Sequence, residues 1–505
     1  MTAYKQISVI LLLAASLIGC SRTMTIAQPF IPPTTVPSLT PLPSLTPFMT
    51  ATHLPGAQVL SPTPDLPHAV PTLRTTQATY TVESGDSLGK IALQFSISVD
   101  DLMTTNNITD PDRIDVGQVL VIPVPSPQPP GPDYKIIPDS ELVDGPAAAH
   151  FDLTSFVAEK AGYLALYSGD AGGKTLDGAD IISLVAEDYS VNPRLLLAVL
   201  EYQSGWVSAI SPDQKTIDYP MGYVNSSYKG LYLQMEYVAD NLNRGFYLWQ
   251  INGLSSYVLT DNSIIPLAAT LNAGTVGVQY LMSLLYGQAD WEHAVSSQGV
   301  AATYQALFGN PFDYAVEPLL PVNLTQPPMQ LPFEVGAVWA FTGGPHGGWG
   351  EGSAWAALDF APPGEAAGCV ESDAWVVAVT TGLIVRSDRG AVVEDLDEDG
   401  FFQTGWTMLY MHIEDRDRIS VGALVEAGTR IGHPCCEGGE STGTHTHLAR
   451  RYNGEWIAAD GPLPFNLDGW ISSGTGTEYD GFLTRNGQKI EAWDAGRSAK
   501  NQIQR

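Results

Sequence analysis

The sequence predicts a multidomain α and β chain: a small βααβ module, a mostly helical middle domain and a C-terminal all-β domain. Three observations carry that prediction. Proline- and threonine-rich stretches separate segments that have clear hydrophobic periodicity. The apolar period is helical through the middle of the chain and turns to strand-like alternation with glycine turns near the end. At 505 residues the chain is also too long for one ordinary domain. A formal net charge of −30 excludes a nucleic-acid partner, because phosphate binding needs clustered Lys and Arg.

Residues 1–19 combine Lys5, an apolar run from Ile7 to Ile18 and Gly19, as a secretory signal peptide does. The run is too short to span a bilayer, which takes about 20 apolar residues. Leu17-Ile18-Gly19-Cys20 resembles the lipobox of bacterial lipoproteins, and that resemblance implies cleavage before Cys20 and lipidation of its thiol. The expected location is therefore the cell envelope, outside the cytoplasm, with a lipid anchor in a membrane. Residues 20–78 are dominated by Thr, Pro and Ser. They lack the apolar content to offset the entropy of folding and are expected to form an extended tether.

Residues 79–124 are compact. Tyr80-Thr81-Val82 has strand character, and Ser84-Gly85-Asp86 is expected to turn the chain and cap a helix. Leu88, Ile91, Ala92 and Phe95 fall on one helical face. Ser98 opens a second helix that buries Leu102, Asn106-Asn107 ends it, and Val119–Ile122 closes the module as a strand. The SGDSL, NNI and VGQVLVIP elements resemble a LysM module, which implies binding to the N-acetylglucosamine-containing glycan of peptidoglycan or chitin.

A Pro-rich linker (125–139) leads to a helical region over residues 140–320. In YSVNPRLLLAVLEYQSGW, Asn192 is a helix cap and Pro193 occupies the first turn; Asn272-Ala273-Gly274 opens a second apolar helix. These two stretches resemble the lysozyme-like fold of lytic transglycosylases. That family places a glutamate general acid just before Ser-Gly, where this chain has Gln203. An amide cannot donate a proton as a carboxyl does, and Glu201 lies about 200° around the helix axis. The domain is expected to bind glycan or act as a spacer, without cleavage.

Residues 331–475 hold five of the nine histidines: His346, His412, His433, His445 and His447. Strand alternation puts residues i and i+2 on one face. It sets His445 and His447 together, Tyr410 and His412 opposite Leu409, Met411 and Ile413, and Asp359 opposite Leu358 and Phe360. Three such strands side by side would line a groove with imidazoles and a carboxylate, a donor set that suits zinc. His433 is read as a turn residue.

GGPH, ALDFA, LYMHI, VGALVEAGTRIG and STGTHTHL, in that order, resemble the lysostaphin-type zinc endopeptidases (family M23) over about 120 residues. The resemblance implies His346, Asp359 and His447 as zinc ligands, one zinc per chain, with His412 and His445 as the catalytic pair. They would act on the attacking water and the tetrahedral intermediate. The implied reaction is hydrolysis of peptide bonds in the stems or cross-bridges of peptidoglycan. The family usually spaces its first ligands H-x-x-x-D, whereas GGWGEGSAWAAL separates His346 from Asp359 here. The alternative is a non-catalytic peptidoglycan-binding scaffold or activator of other wall hydrolases.

Asp395, Asp397, Asp399 and Gly400 match the D-x-D-x-D-G start of a calcium loop, but position twelve is Trp406 and not a bidentate glutamate. A calcium site and a solvated acidic hairpin loop both fit that pattern. Cys369, Cys435 and Cys436 suit a disulfide in an oxidising compartment, with connectivity open. In residues 476–505, a C-terminal β extension, Asn486-Gly487 signals a type I′ hairpin.

Overall fold

The computed structural model of the chain describes residues 68, 74–83, 85–95, 97–111, 113–125, 129–364 and 368–505. The expected signal peptide, Cys20 and most of the expected tether lie outside the described residues. Among the described residues no helix is long and apolar enough to cross a membrane.

In the N-terminal module, β1 (Ala78–Thr81) pairs antiparallel with β2 (Val119–Ile122), and α1 (Leu88–Gln94) and α2 (Val99–Asn106) lie between them in sequence. Leu88, Ile91, Ala92, Leu102, Leu120 and Ile122 share a small core of their own. Ser98 caps α2 through the Asp101 amide (2.9 Å), and Asn107 ends it in the left-handed region that Asn tolerates. Two details differ from the sequence reading. The oxygen near the start of α1 that accepts a backbone amide, from Lys90, belongs to Ser87. The helix also stops at Gln94, so Phe95 is only half-buried, edge-on to Tyr80.

The helical domain follows. It runs through α3 (Leu153–Lys160), the hairpin β3 (Ser168–Ala171) and β4 (Lys174–Asp177), α4 (Gly178–Tyr189), α5 (Pro193–Ser204) and α6 (Leu231–Gln250). The hairpin β5 (Ser256–Val258) and β6 (Ile264–Pro266) then precedes α7 (Ala273–Ser283), α8 (Gln288–Ala294) and α9 (Val300–Phe308). Asn192 caps α5 by accepting from the Arg194 amide (2.9 Å), with Pro193 in the first turn. Helices α6 and α7 approach closely at two glycines: a Cβ on Gly245 would stand 2.8 Å from the Gly277 Cα.

The C-terminal domain comprises β7 (Val338–His346), β8 (Ala357–Ala361), β9 (Val376–Val377), β10 (Gly382–Asp388), β11 (Ala391–Asp395) and β12 (Trp406–Met411). It continues with β13 (Leu424–Val425), β14 (Arg430–Gly432), β15 (Thr446–Tyr452) and β16 (Glu455–Trp456). The last strands are β17 (Asn466–Leu467), β18 (Trp470–Gly474), β19 (Gly481–Arg485), β20 (Gln488–Glu491) and β21 (Gln502–Gln504). The main sheet runs β13-β10-β11-β12-β15-β8-β7-β21, with β16 on β15, and β17 to β20 form a four-stranded sheet. The β extension from residue 476 is continuous with these sheets: β19 pairs with β18, and β21 pairs with β7. Asn486 and Gly487 both take positive φ, 50° and 79°, in the tight turn that joins β19 to β20.

Both faces of the main sheet are covered. Leu358, Phe360, Met408, Tyr410 and Leu448 point into the domain's own core with Trp470 and Leu483. On the other face, Ala357, Val393, Leu409, Met411 and Ala449 join the core of the helical domain. Small alanines at the centre of that face let the helices come close.

Candidate metal centre

Adjacent strands bring the predicted residues together. Asp359 on β8 and His447 on β15 are direct cross-strand partners, and His447 is also paired with Met411 on β12. His346 ends β7, where the register against β8 shifts twice, and that irregularity turns it back toward Asp359. By strand alternation Asp359 and His447 share the face of Ala357 and Ala449, the one covered by the helical domain.

Three donor atoms converge. His346 Nε2 is 3.2 Å from Asp359 Oδ1, His447 Nδ1 is 3.3 Å from the same oxygen, and the two nitrogens are 3.0 Å apart. In a tetrahedral zinc site with bonds of about 2.0–2.1 Å the edges between ligands measure about 3.3 Å, so these atoms fit one ion. Asp359 Oδ1 is buried and has no hydrogen-bond donor of its own, as expected of an atom meant for a cation. Asp395, Asp397 and Asp399 are the other such cluster among the described residues.

Backbone carbonyls select the imidazole tautomers. Gly344 O takes the Nδ1 proton of His346 (2.8 Å), which leaves the lone pair on Nε2. Gly348 O takes the Nε2 proton of His447 (3.0 Å), which leaves the lone pair on Nδ1. In each ring the free nitrogen is the one that faces Asp359. A second hydrogen bond of this kind orients a metal-binding histidine.

His412 and His445 stand beside the cluster with ring centroids 4.4 Å apart. His445 Nδ1 bonds Gly443 O (2.7 Å) and its Nε2 is 3.7 Å from Asp359 Oδ1. His412 Nδ1 bonds Glu437 O (3.1 Å). One expectation is corrected here. His412 does not share a face with Tyr410, because β12 ends at Met411 and His412 takes a left-handed φ of 62°. That turn sends Ile413 into the core with Tyr410 and swings the His412 ring to the Met411 side, 6.2 Å from His447.

Burial disfavours the charged form of every group here, and the pairs decide the outcome. Burial pushes the Asp359 carboxyl up, but the adjacent His346 and His445 hold it well below the usual carboxylate range. Burial pulls His346 down, and the Asp359 charge more than reverses it, so the imidazole ends raised. Burial depresses His447, and it drives His412, beside two other histidines, to about 3.

Sequence reasoning missed Tyr479. Its ring stacks on His346 at 4.3 Å, and its backbone bonds Gly344 and Pro345, the two residues that lead into that histidine. Burial of the phenol, with Asp359 nearby, pushes it up to about 12. It comes from a Gly- and Thr-rich loop far along the chain, and nothing in its local sequence marks it.

The remaining candidates sit elsewhere. His433 bonds Ala374 O and packs against the Trp375 ring, as a structural residue does. Cys369 and Cys436 form a disulfide, and Cys435 is the free cysteine among the described residues. Cys435 donates its amide to His412 O and bridges His445, so the disulfide-bearing loop frames the histidine pair. The carboxylates of Asp395, Asp397 and Asp399 offer oxygens within 4.8 Å of one another. Local amides already occupy several: Asp395 accepts from Asp397 and Gly400, and Asp399 from Phe401. In the helical domain Gln203 Oε1 accepts from the Tyr286 hydroxyl (2.6 Å), and the Glu201 carboxylate closes on the Val207 and Ser208 amides.

Residues 80–123 match the model of the LysM domain, and residues 135–323 that of the N-terminal domain of LasA. Protease LasA of Pseudomonas aeruginosa is 28% identical over 350 residues, covering 64% of this chain and 75% of that protein. This overlap is longer than the helical domain, so it extends beyond it. Beta-lytic metalloendopeptidase of Lysobacter enzymogenes is 28% identical over 167 residues, covering 32% of this chain and 90% of that one. The solved structure of pseudoalterin, an M23 metalloprotease from the deep sea, is 24% identical and covers 36% of this chain and 100% of its own, with a TM-score of 0.29. The chain thus joins a LysM domain to a LasA-type N-terminal domain, and it is a homologue of metallopeptidases.

Proposed function

We propose that this chain is a cell-wall zinc endopeptidase that hydrolyses peptide bonds in the stems or cross-bridges of peptidoglycan. The observation that carries the proposal is the buried triangle of His346 Nε2, Asp359 Oδ1 and His447 Nδ1, with both imidazole tautomers fixed by backbone carbonyls. These three atoms would hold the zinc. When bound, zinc polarises a carbonyl and lowers the pKa of water toward neutrality. His412, kept neutral by burial and with Nδ1 bonded to Glu437 O, has its Nε2 lone pair free to accept a hydrogen bond that would orient the attacking water. His445, with Nδ1 donating to Gly443 O, directs Nε2 toward the same space and would, with a proton on that nitrogen, steady the developing oxyanion.

The LysM domain would retain the enzyme on the glycan, and a lipid on Cys20 would anchor it in a membrane. The helical domain would cleave nothing, because Gln203 stands where an acid is needed and Glu201 is taken up by backbone amides. Any calcium at Asp395, Asp397 and Asp399 would stiffen a hairpin loop away from the chemistry. The test compares the wild type with His447→Ala, measuring bound zinc and solubilisation of purified wall. One zinc per chain and wall release, both lost in the variant, are expected. A wild type that binds zinc yet releases nothing would instead support the non-catalytic scaffold.

A further inference from the structure

The insertion between the first histidine and the aspartate, residues 347–356, is fastened from outside its own domain. The Gly352 amide donates to Asp240 Oδ1 on α6 at 2.7 Å. Gly352 lies so near that helix that a Cβ would stand 1.8 Å from the Asp240 carbonyl oxygen, so only glycine fits. Arg244, one turn along, reaches Asp240 at 3.6 Å and Glu351 at 3.4 Å.

The loop transmits that contact because it is braced within itself. The Trp349 amide donates to Ser353 Oγ (3.1 Å), and the Ser353 hydroxyl donates to Gly350 O (3.2 Å). The Gly348 amide donates to Ala354 O (3.1 Å). Gly348 is also pressed on the Trp456 ring, 2.6 Å from where its Cβ would stand. Its carbonyl is the acceptor that sets the His447 tautomer.

We propose that Asp240 is a positioning residue for the metal centre: through Gly352 and the braced loop it holds the Gly348 carbonyl against His447 Nε2. Without that oxygen the loop loses the Gly352 hydrogen bond to α6 and keeps there only the exposed Arg244–Glu351 pair, and His447 is free to move its proton to Nδ1, the nitrogen needed for the ion. The helical domain would therefore contribute to the site from across the domain boundary. The consequence for zinc rests on the function proposed above; the coupling of Asp240 to His447 does not.

The experiment uses the full chain with Asp240→Ala, Asp240→Asn, Arg244→Ala and Gly352→Ala. In metal-free protein labelled with ¹⁵N-histidine, NMR reads the His447 Nε2 proton. It should be present in the wild type, in Asp240→Asn (which keeps an acceptor oxygen) and in Arg244→Ala. It should be lost in Asp240→Ala and in Gly352→Ala, where the added methyl pushes the loop off α6. Zinc titrated against a chelator should bind about 10-fold or more weakly in those two variants alone. Retention of the Nε2 proton and of zinc affinity in Asp240→Ala would overturn the inference, and so would equal losses in Arg244→Ala. Should Asp240→Ala fail to fold, Gly352→Ala against Asp240→Asn decides the matter by the same readings. If the Nε2 proton behaves as expected but the wild type binds no zinc, the metallopeptidase reading fails and the coupling stands.

Discussion

At the scale of residues, the centre depends on which nitrogen of each imidazole is free. His346 is raised by the Asp359 charge against the pull of burial, so protons compete with a cation for its Nε2. Zinc affinity should therefore weaken as pH falls, because binding displaces any proton there. Titrations at pH 5.5 and 7.5 check this, and an affinity that rises on acidification would contradict it. The strand parity of Asp359 and His447 was legible in the sequence, since each alternates with apolar neighbours in a short strand. Tyr479 was not, because stacking on His346 depends on how a distant loop returns to the sheet. The His412 conformation was equally hidden: strand alternation gives no warning of a positive φ at the residue after the strand.

At the scale of elements, the two faces of the sheet explain why the site is held so firmly. The sequence shows that Leu409 and Met411 are apolar and share a face, but not that helices from the preceding domain cover it. Polar partners cross the same boundary. Arg386 on β10 pairs with Asp188 on α4 at 2.7 Å with both side chains buried, and Arg451 on β15 donates to Glu187 O. Replacing Arg386 by Ala leaves the Asp188 carboxyl buried without its charge partner, and should cost about 3–5 kcal/mol. Urea denaturation measures it, and a loss below about 1 kcal/mol would mean that water reaches the gap. The α5 cap and the Asn486-Gly487 turn were legible because each rests on local backbone chemistry. The Asp240–Gly352 contact joins residues far apart in sequence, and nothing in the local sequence of either marks it.

For the molecule as a whole, the passage from helical to sheet-rich chain was readable, and the core that the two share was not. That core encloses acids. Burial raises Glu455 to about 7, against the hydrogen bond from Gln250, and raises Asp144 to about 8. A raised carboxyl pKa means that the folded state holds a proton the unfolded state releases. The associated stability is full below about pH 4.5 and is lost as pH rises through the folded value. Glu455→Gln, which never ionises, should therefore gain thermal stability relative to wild type between pH 5 and pH 8. Unfolding temperatures of both proteins across that range test the sign, and a gap that narrows with rising pH would contradict it. The lipid expectation is tested by detergent partition, where Cys20→Ala should move the protein to the aqueous phase. The central claim is the chemistry at His346, Asp359 and His447. It is tested most directly by incubating the zinc-loaded chain with purified peptidoglycan and quantifying new amino groups and new reducing ends together. The account predicts amino groups without reducing ends, abolished by a chelator and restored by zinc. Reducing ends without amino groups, or neither product, would contradict it.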